Sequence, residues 1–295
     1  MATTAADVPA PSRAAAKYNK DKAPGTPWWL WICVFTIVVF CLLPFYWLVN
    51  ISLKTGPDLS SSNVFPPNPT LENYKSIFQN DNFTRALGNS AIVALTTTAI
   101  GVIIGSFAAY ALARLRIKGK FILLGIVLSI TTFPQIAIAA PLFKLWTSIG
   151  LYNTLWGLII PYLTFALPLS IYILVSFFRE IPRDLEEAAL VDGATHFEAF
   201  RKVVVPLAAP GLATTAILTF IAAWNEFLLA TTLTSSITAR TVPVAISQFT
   251  GSSQFEVPLG TQSAASVVIS IPLIVLVLLF QKRIVAGLTA GAVKG

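Results

Sequence analysis

The sequence is poor in charged residues, histidine and cysteine, and each shortage excludes a class of protein. Only 11% of its residues are charged, against about a quarter in soluble domains. The single histidine, His196, excludes a metal site built from several histidines. The two cysteines, Cys33 and Cys41, both lie in the first apolar stretch, where packing or lipid contact is favoured over a disulfide. With 55% hydrophobic residues, the composition predicts a polytopic membrane protein surrounded by lipid.

Motifs for nucleotide binding and catalysis are also absent. No G-x-x-x-x-G-K-[ST] phosphate loop occurs, so the chain is not expected to bind and hydrolyse ATP by itself. Neither a G-x-S-x-G elbow nor an H-E-x-x-H pair is present, which argues against an enzyme. The net charge of +7 does not indicate nucleic acid, because the basic residues cluster at the ends of apolar segments. We therefore expect no cofactor, no metal and no nucleic-acid partner for this chain.

Six apolar segments are long enough to cross a hydrocarbon layer of about 30 Å. We expect a disordered tail over 1–26, a transmembrane domain over 27–280 with external loops 52–88 and 234–263, and a second tail over 281–295. Gly101 and Gly105 have the spacing that lets helix backbones approach, and Pro134 predicts a kink in the third span. The predicted spans are 28–49, 89–112, 121–143, 155–178, 210–233 and 264–280.

The lysines and arginines predict the orientation of these spans. Fifteen of the 20 lie in the two tails, in 114–120 or in 179–206, and five lie in the opposite loops. Because basic residues are enriched on the cytoplasmic side, both termini are predicted to be cytoplasmic.

The segment 180–206 is the most polar part of the chain. It holds six of the thirteen acidic residues. Gly193 is suited to ending one helix in the left-handed conformation, and Thr195 and Glu198 have capping-box spacing for the next. Pro206 cannot continue the hydrogen-bond ladder. The pattern predicts a helix, a tight turn and a second helix in water. The six acids are Glu180, Asp184, Glu186, Glu187, Asp192 and Glu198.

Glu226 is the one carboxylate inside a predicted span, in the run Trp224-Asn225-Glu226. An ionisable residue at this depth indicates a contact for a polar solute, or else a bond to a neighbouring helix or to water. A secondary carrier would ordinarily show several such residues and two related halves. Neither is found, and an ion-coupled secondary carrier or channel is kept as the alternative function.

The run Glu187-Ala-Ala-x-x-x-Gly193, followed by Val203-x-Val205-Pro206, resembles the EAA signature of bacterial ABC importer permeases. The family has Ile and Leu where this chain has the two valines. Pro69-Thr-Leu-Glu-Asn-Tyr74, Ala223-Trp-Asn-Glu-Phe227 and the C-terminal run from Val285 to Gly295 are similar to the maltose-type carbohydrate subgroup. Phe249-Thr-Gly-Ser-Ser-Gln-Phe255 is similar to SugB-type trehalose importers.

This resemblance implies an all-α type I ABC importer permease with six transmembrane helices and a cytoplasmic helix-turn-helix coupling loop, in a bacterial inner membrane. It implies ATP-driven uptake of an α-glucoside disaccharide, such as trehalose or maltose, by alternating access. The implied partners are a second permease, two ATP-binding subunits that hold ATP and magnesium, and an external sugar-binding protein.

Site residues are carried over by the same resemblance. The C-terminal tail would reach the interface between the ATP-binding subunits or else fray, and an external scoop would displace sugar from the binding protein. The coupling residues are Glu187, Ala188, Ala189, Asp192, Gly193 and Pro206; the tail residues are Gly291, Val293, Lys294 and Gly295; the scoop residues are Gly251, Ser252, Ser253, Gln254 and Phe255.

Overall fold

A computed structural model describes residues 27–249 and 258–290, and all regular structure in these ranges is helical. The predicted tail 1–26, the scoop residues 251–255 and the tail residues 291–295 lie outside them. The helices are α1 Trp28–Ser52, α2 Glu72–Gln79, α3 Asp81–Arg114, α4 Lys120–Thr132, α5 Gln135–Ile149, α6 Leu155–Glu180, α7 Arg183–Val191, α8 His196–Ala199, α9 Val205–Leu207, α10 Ala209–Trp224, α11 Leu228–Leu233, α12 Val242–Ser247 and α13 Leu259–Ala290, with a 3₁₀ turn at Gly56–Ser60 and a π turn at Phe200–Val204.

Within the described ranges, four helices are long and apolar enough to cross a membrane: α1, α3, α6 and α13 as far as Gln281. Two bent pairs raise the number to six if each pair is one span. One pair is α4 with α5, bent by 85°, and the other runs from α8 to α10, bent by 76°. The all-helical, polytopic fold class is thus confirmed. The bend between α4 and α5 also confirms the kink predicted in the third span, and the fifth predicted span, 210–233, is broken as well.

The break in the third predicted span has a local cause. The third predicted span is interrupted at Phe133 and Pro134, because a proline has no N–H for the ladder and its ring clashes with the preceding turn. The fifth predicted span stops at Trp224 and restarts at Leu228. The second span instead begins at Asp81, eight residues earlier than expected, because the side chain of Asn80 caps it by accepting the N–H of Asn82 at 2.9 Å.

Two compact units divide the chain at residue 47. In the first, α1 as far as Trp47 is almost entirely apolar, and Cys33 and Cys41 are both exposed free thiols. The second unit, residues 48–295, contains every element discussed below.

Helices α3 and α6 form the central packing of the second unit. A Cβ atom added at Gly105 would lie 2.6 Å from the Cβ of Ser170, and one added at Gly101 would lie 3.3 Å from the Cβ of Ala166. The predicted close approach through small residues is therefore confirmed. Its consequence is that α6, which leads into the polar segment 180–206, is held in a fixed relation to α3.

The loop between α11 and α12, residues 234–241, is held by side chains from α3 and from the turn before α6. Asn153 has φ of 57°, and its side-chain oxygen accepts the N–H groups of Ser235 and Ser236 at 3.0 and 3.1 Å. Asn89 donates to the carbonyls of Ile237 and Arg240. These amide side chains satisfy backbone groups that an irregular loop would otherwise leave open.

Candidate functional site

The polar segment forms a helical hairpin, here called the coupling hairpin, residues 180–206. Its first helix, α7, ends at Val191 with Asp192 as the C-cap, and Gly193 follows with φ of +90°. A side chain at Gly193 would meet no atom within 4 Å, so glycine is needed for its backbone conformation and not for space. The N–H of Ala194 then donates to the carbonyl of Ala189 at 3.0 Å, which closes the turn. The predicted helix end is confirmed.

The second arm begins with the predicted capping box. Thr195 Oγ1 accepts the N–H of Glu198 at 3.2 Å, and Glu198 Oε2 accepts the N–H of Thr195 at 3.0 Å. Lys202 Nζ lies 3.0 Å from Glu198 Oε1. The Thr195 backbone N–H, helped by the Lys202 ammonium, lowers the pKa of Glu198 from 4.5 to about 2.

The second arm does not end at Pro206. A π turn over Phe200–Val204 precedes α9, which includes Pro206 near its first position and ends at Leu207. Proline is tolerated there because an N–H in the first turn has no intrahelical acceptor. The chain then bends by 76° into α10.

A buried ion pair that the sequence analysis did not single out holds α7 against the end of α3. Glu186 Oε2 lies 3.2 Å from Arg114 Nε, without hydrogen-bond alignment, and the two side chains are 10% and 6% exposed. Tyr110 donates its hydroxyl to Glu186 Oε1, and Arg114 Nη2 donates to the carbonyl of Ile181 at 2.9 Å. Glu186 is separated from Arg114 by 72 positions, so no local pattern distinguishes it from the neighbouring acid Glu187.

Aromatic rings hold the second arm against the same helices. The ring of Phe200 lies 4.8 Å from that of Tyr110, 5.3 Å from Phe107 and 6.3 Å from Phe178, measured between centroids. The ring of Phe197 lies 6.4 Å from that of Phe107, so Phe197 and Phe200 both contact this ring of α3. The second arm of the hairpin therefore packs directly against α3 and α6.

The opposite face of the coupling hairpin is exposed. Val191 is 87% exposed, and Leu185 is 46% exposed. Glu187 and Ala188 lie on this outer face too. Of the predicted coupling residues, Glu187, Ala188, Asp192, Gly193 and Pro206 are exposed and Ala189 is half-buried. The exposed apolar side chains around one carboxylate are typical of a surface that another protein covers.

Glu226 lies at the break between α10 and α11 and caps the second of these helices. Its Oε1 accepts the N–H of Leu229 at 2.7 Å, and its Oε2 accepts the N–H of Ala230 at 3.0 Å and the hydroxyl of Tyr162 at 2.6 Å. The side chain is buried. The sequence left open a contact with a polar solute, with water or with a neighbouring helix. This geometry fits the last of these, because Glu226 bonds to Tyr162 of α6.

The neighbours of Glu226 differ in exposure. Trp224 is buried and donates its indole N–H to the carbonyl of Ile269 at 3.2 Å. Asn225 is exposed and donates to the carbonyl of Ile221. An open cleft of about 550 Å³ lies beside the break, between it and the bend of the third span. Its lining includes Thr131, Gln135, Phe165, Asn225, Glu226 and Phe227, of which Thr131, Gln135 and Phe165 were not among the sequence predictions.

Residues 101–289 match the family described as the binding-protein-dependent transport system inner membrane component. The chain belongs to this family of ABC importer permeases. The permease is 56% identical over 266 residues to the trehalose transport system permease protein SugB of Mycobacterium tuberculosis (strain CDC 1551 / Oshkosh), covering 90% of this chain and 97% of that protein. The permease is 43% identical to the trehalose/maltose transport system permease protein MalG of Thermococcus litoralis, covering 88% and 94%.

A solved structure shares the fold of the permease. It is a bacterial ABC transporter involved in the import of the acidic polysaccharide alginate, with a TM-score of 0.72, 22% identity and coverage of 93% of this chain and 99% of that chain. The family match and the two relatives confirm the predicted family and the role as a transport subunit rather than an enzyme, and the solved structure confirms the fold class. The permease is a multi-pass membrane protein.

Proposed function

We propose that this permease imports an α-glucoside disaccharide, trehalose first and maltose second. The observation that carries the proposal is its 56% identity to a trehalose permease across 97% of that protein. A second relative, named for trehalose and maltose, is 43% identical across 94% of its length. The two names share the α-linked glucose disaccharide as the chemical class.

The proposed assembly contains a second permease, two ATP-binding subunits and an external sugar-binding protein. ATP and magnesium belong to the ATP-binding subunits, and this chain holds no cofactor. The family description, which names dependence on a binding protein, supports the external partner. Both termini and the coupling hairpin are proposed to be cytoplasmic, because fifteen of the 20 basic residues lie in the two tails, in 114–120 or in 179–206, and basic residues are enriched on the cytoplasmic side.

The proposed mechanism places the ATP-binding subunit on the outer face of the coupling hairpin. Val191 and Ala188 would enter a cleft of the partner, and the exposed carboxylate of Glu187 would make charge-assisted bonds there. ATP-driven closure of the partner dimer would move the hairpin. Glu186 and Phe200 tie the hairpin to α3, so that movement would reach the membrane helices. The sugar path would then switch its opening from one side of the membrane to the other.

Three further assignments are proposed on the family resemblance alone. The tail residues Gly291, Val293, Lys294 and Gly295 would contact the ATP-binding subunits, and the segment 251–255 would displace sugar from the binding protein. The run Trp224-Asn225-Glu226 would border the sugar path, with Asn225 as its exposed member.

Reconstitution in liposomes tests this function. The permease with its cognate partners should take up radiolabelled trehalose only when ATP is enclosed and the binding protein is present. The cognate binding protein should bind trehalose in a disaccharide panel measured by calorimetry. Uptake by the purified permease alone, driven by an ion gradient, would contradict the proposal and favour the secondary carrier.

A further inference from the structure

The cleft between the two broken spans lies at membrane depth. Thr131 is eleven residues along α4 from Lys120, which is about 17 Å at 1.5 Å per residue. Asn225, the C-cap of α10, is sixteen residues from Ala209 at its start, or about 24 Å. Both positions fall within a hydrocarbon layer of about 30 Å when the helices run close to its normal.

Two polar side chains of this cleft already donate within the described residues, Thr131 to the carbonyl of Leu128 at 2.6 Å and Asn225 to that of Ile221 at 2.9 Å. Gln135 differs from both. The Gln135 side chain is exposed and makes no hydrogen bond there. Gln135 is also the first residue of α5, whose N-cap, Pro134, has no side chain that can accept the free N–H groups of the first turn. In contact with lipid tails these donors would each be costly to leave unsatisfied. The cleft therefore requires water or a polar ligand.

The charge of the cleft favours a neutral ligand. Glu226 is the charged residue in its lining, and its two oxygens already accept the N–H groups of Leu229 and Ala230 and the hydroxyl of Tyr162. The N-terminus of α11 is thus capped by the Glu226 side chain, while no side chain among the described residues caps the N-terminus of α5. An ion would find no free opposite charge in this lining, whereas a polyol would find the Gln135 amide, which can donate and accept, and the oxygen of Thr131, which can accept.

Aromatic side chains complete the lining. Phe165 and Phe227 border the same space as Gln135 and Asn225. Apolar ring faces next to a few well-placed polar groups are typical of small-molecule sites, which measure about 300–1,000 Å³. At about 550 Å³ the cleft lies within that range.

We infer that this cleft is an intramembrane contact site for the transported sugar, in which Gln135 and Thr131 bind sugar hydroxyls and Phe165 and Phe227 face its apolar surface. The inference rests on the proposed function and adds that this permease, and not its partner alone, helps to determine which sugar passes.

A labelling experiment tests whether the cleft holds water. Gln135→Cys is made with Cys33→Ala and Cys41→Ala, because both native thiols are exposed. In the assembled importer, a charged water-soluble methanethiosulfonate should label Gln135→Cys. It should not label the control Ile126→Cys, an exposed apolar position on α4 that is outside the cleft lining. Failure to label Gln135→Cys would overturn the inference, because lipid or the second permease would then cover the site.

A transport experiment tests sugar contact. Gln135→Leu and the nearly isosteric Thr131→Val should each lower trehalose uptake about five- to tenfold, the effect of one lost hydrogen bond. Stimulation of ATP hydrolysis by the trehalose-loaded binding protein should persist, and the ratio of trehalose to maltose uptake should change. Gln281→Leu, which removes an exposed amide outside the cleft, should leave both quantities unchanged.

Two outcomes of that experiment would overturn the inference. In the first, Gln135→Leu and Thr131→Val both keep the wild-type trehalose uptake and the wild-type ratio of trehalose to maltose uptake. In the second, both variants lose the stimulation of ATP hydrolysis, which indicates a structural role. Failure of the proposed function has a different signature. If the wild-type importer carries another glycoside of the panel, the substrate assignment fails, and the same variants are measured with that glycoside.

Discussion

The buried pair of Glu186 and Arg114 allows the strongest test of how the coupling hairpin is joined to the membrane helices. In Glu186→Ala, a guanidinium that is 6% exposed loses its carboxylate, and the Tyr110 hydroxyl loses its acceptor. Removing one partner of a buried pair costs about 3–5 kcal/mol, because the remaining charge stays out of water. Both side chains are at most 10% exposed, so solvent screening reduces this value little.

The assay is reversible unfolding in mixed micelles by detergent titration. Glu186→Ala should lower the free energy of unfolding by about 3 kcal/mol or more. Glu187→Ala, one position along but exposed, should change it by less than about 0.5 kcal/mol. Transport should show a different contrast, because Glu187→Ala is expected to weaken docking of the ATP-binding subunit while the permease stays fully folded.

A double variant separates the charge effect from general damage. Glu186→Leu combined with Arg114→Met removes both charges, and replacing a buried pair by apolar residues is often neutral or stabilising. We therefore expect the double variant to recover most of the stability lost in Glu186→Ala. A loss below about 1 kcal/mol in Glu186→Ala, the range of exposed pairs, would refute the reasoning.

Three more predictions concern the packing, the broken span and the hairpin. Gly105→Val should destabilise the permease by about 1–3 kcal/mol, since its Cβ would lie 2.6 Å from that of Ser170, whereas Gly88→Ala, with nothing within 4 Å, should be neutral or stabilising by detergent unfolding. Glu226→Gln should cost about 1–3 kcal/mol because charge-assisted bonds to α11 are lost; an unchanged stability with altered sugar selectivity would contradict the capping role. The folded-state pKa of Glu198 is about 2, below 4.5, so its contribution is present above pH 4.5 and is lost as pH falls towards 2. Hydrogen exchange of the hairpin amides, corrected for intrinsic rates, should show this loss in the wild type and not in Glu198→Gln; equal pH dependence in both would count against it.

Local features of this permease were predictable from sequence because they depend on neighbouring residues. The left-handed glycine at 193, the capping box of Thr195 and Glu198, and the small-residue contact at Gly101 and Gly105 all lie where the pattern placed them. Each depends on a backbone conformation or on a spacing within one helix. The polytopic, all-helical class likewise follows from composition and from the length of the apolar segments.

Only the tertiary structure decided which of these residues act together. Glu186 and Glu187 are adjacent and chemically identical, yet one is buried against Arg114 and the other is exposed, because α3 meets a single face of α7. Glu226 is a cap whose partner Tyr162 comes from another helix, and Gln135 borders the same cleft from a third. Contacts between distant segments depend on how the broken helices pack, and the periodicity of a single segment carries no information about its neighbour.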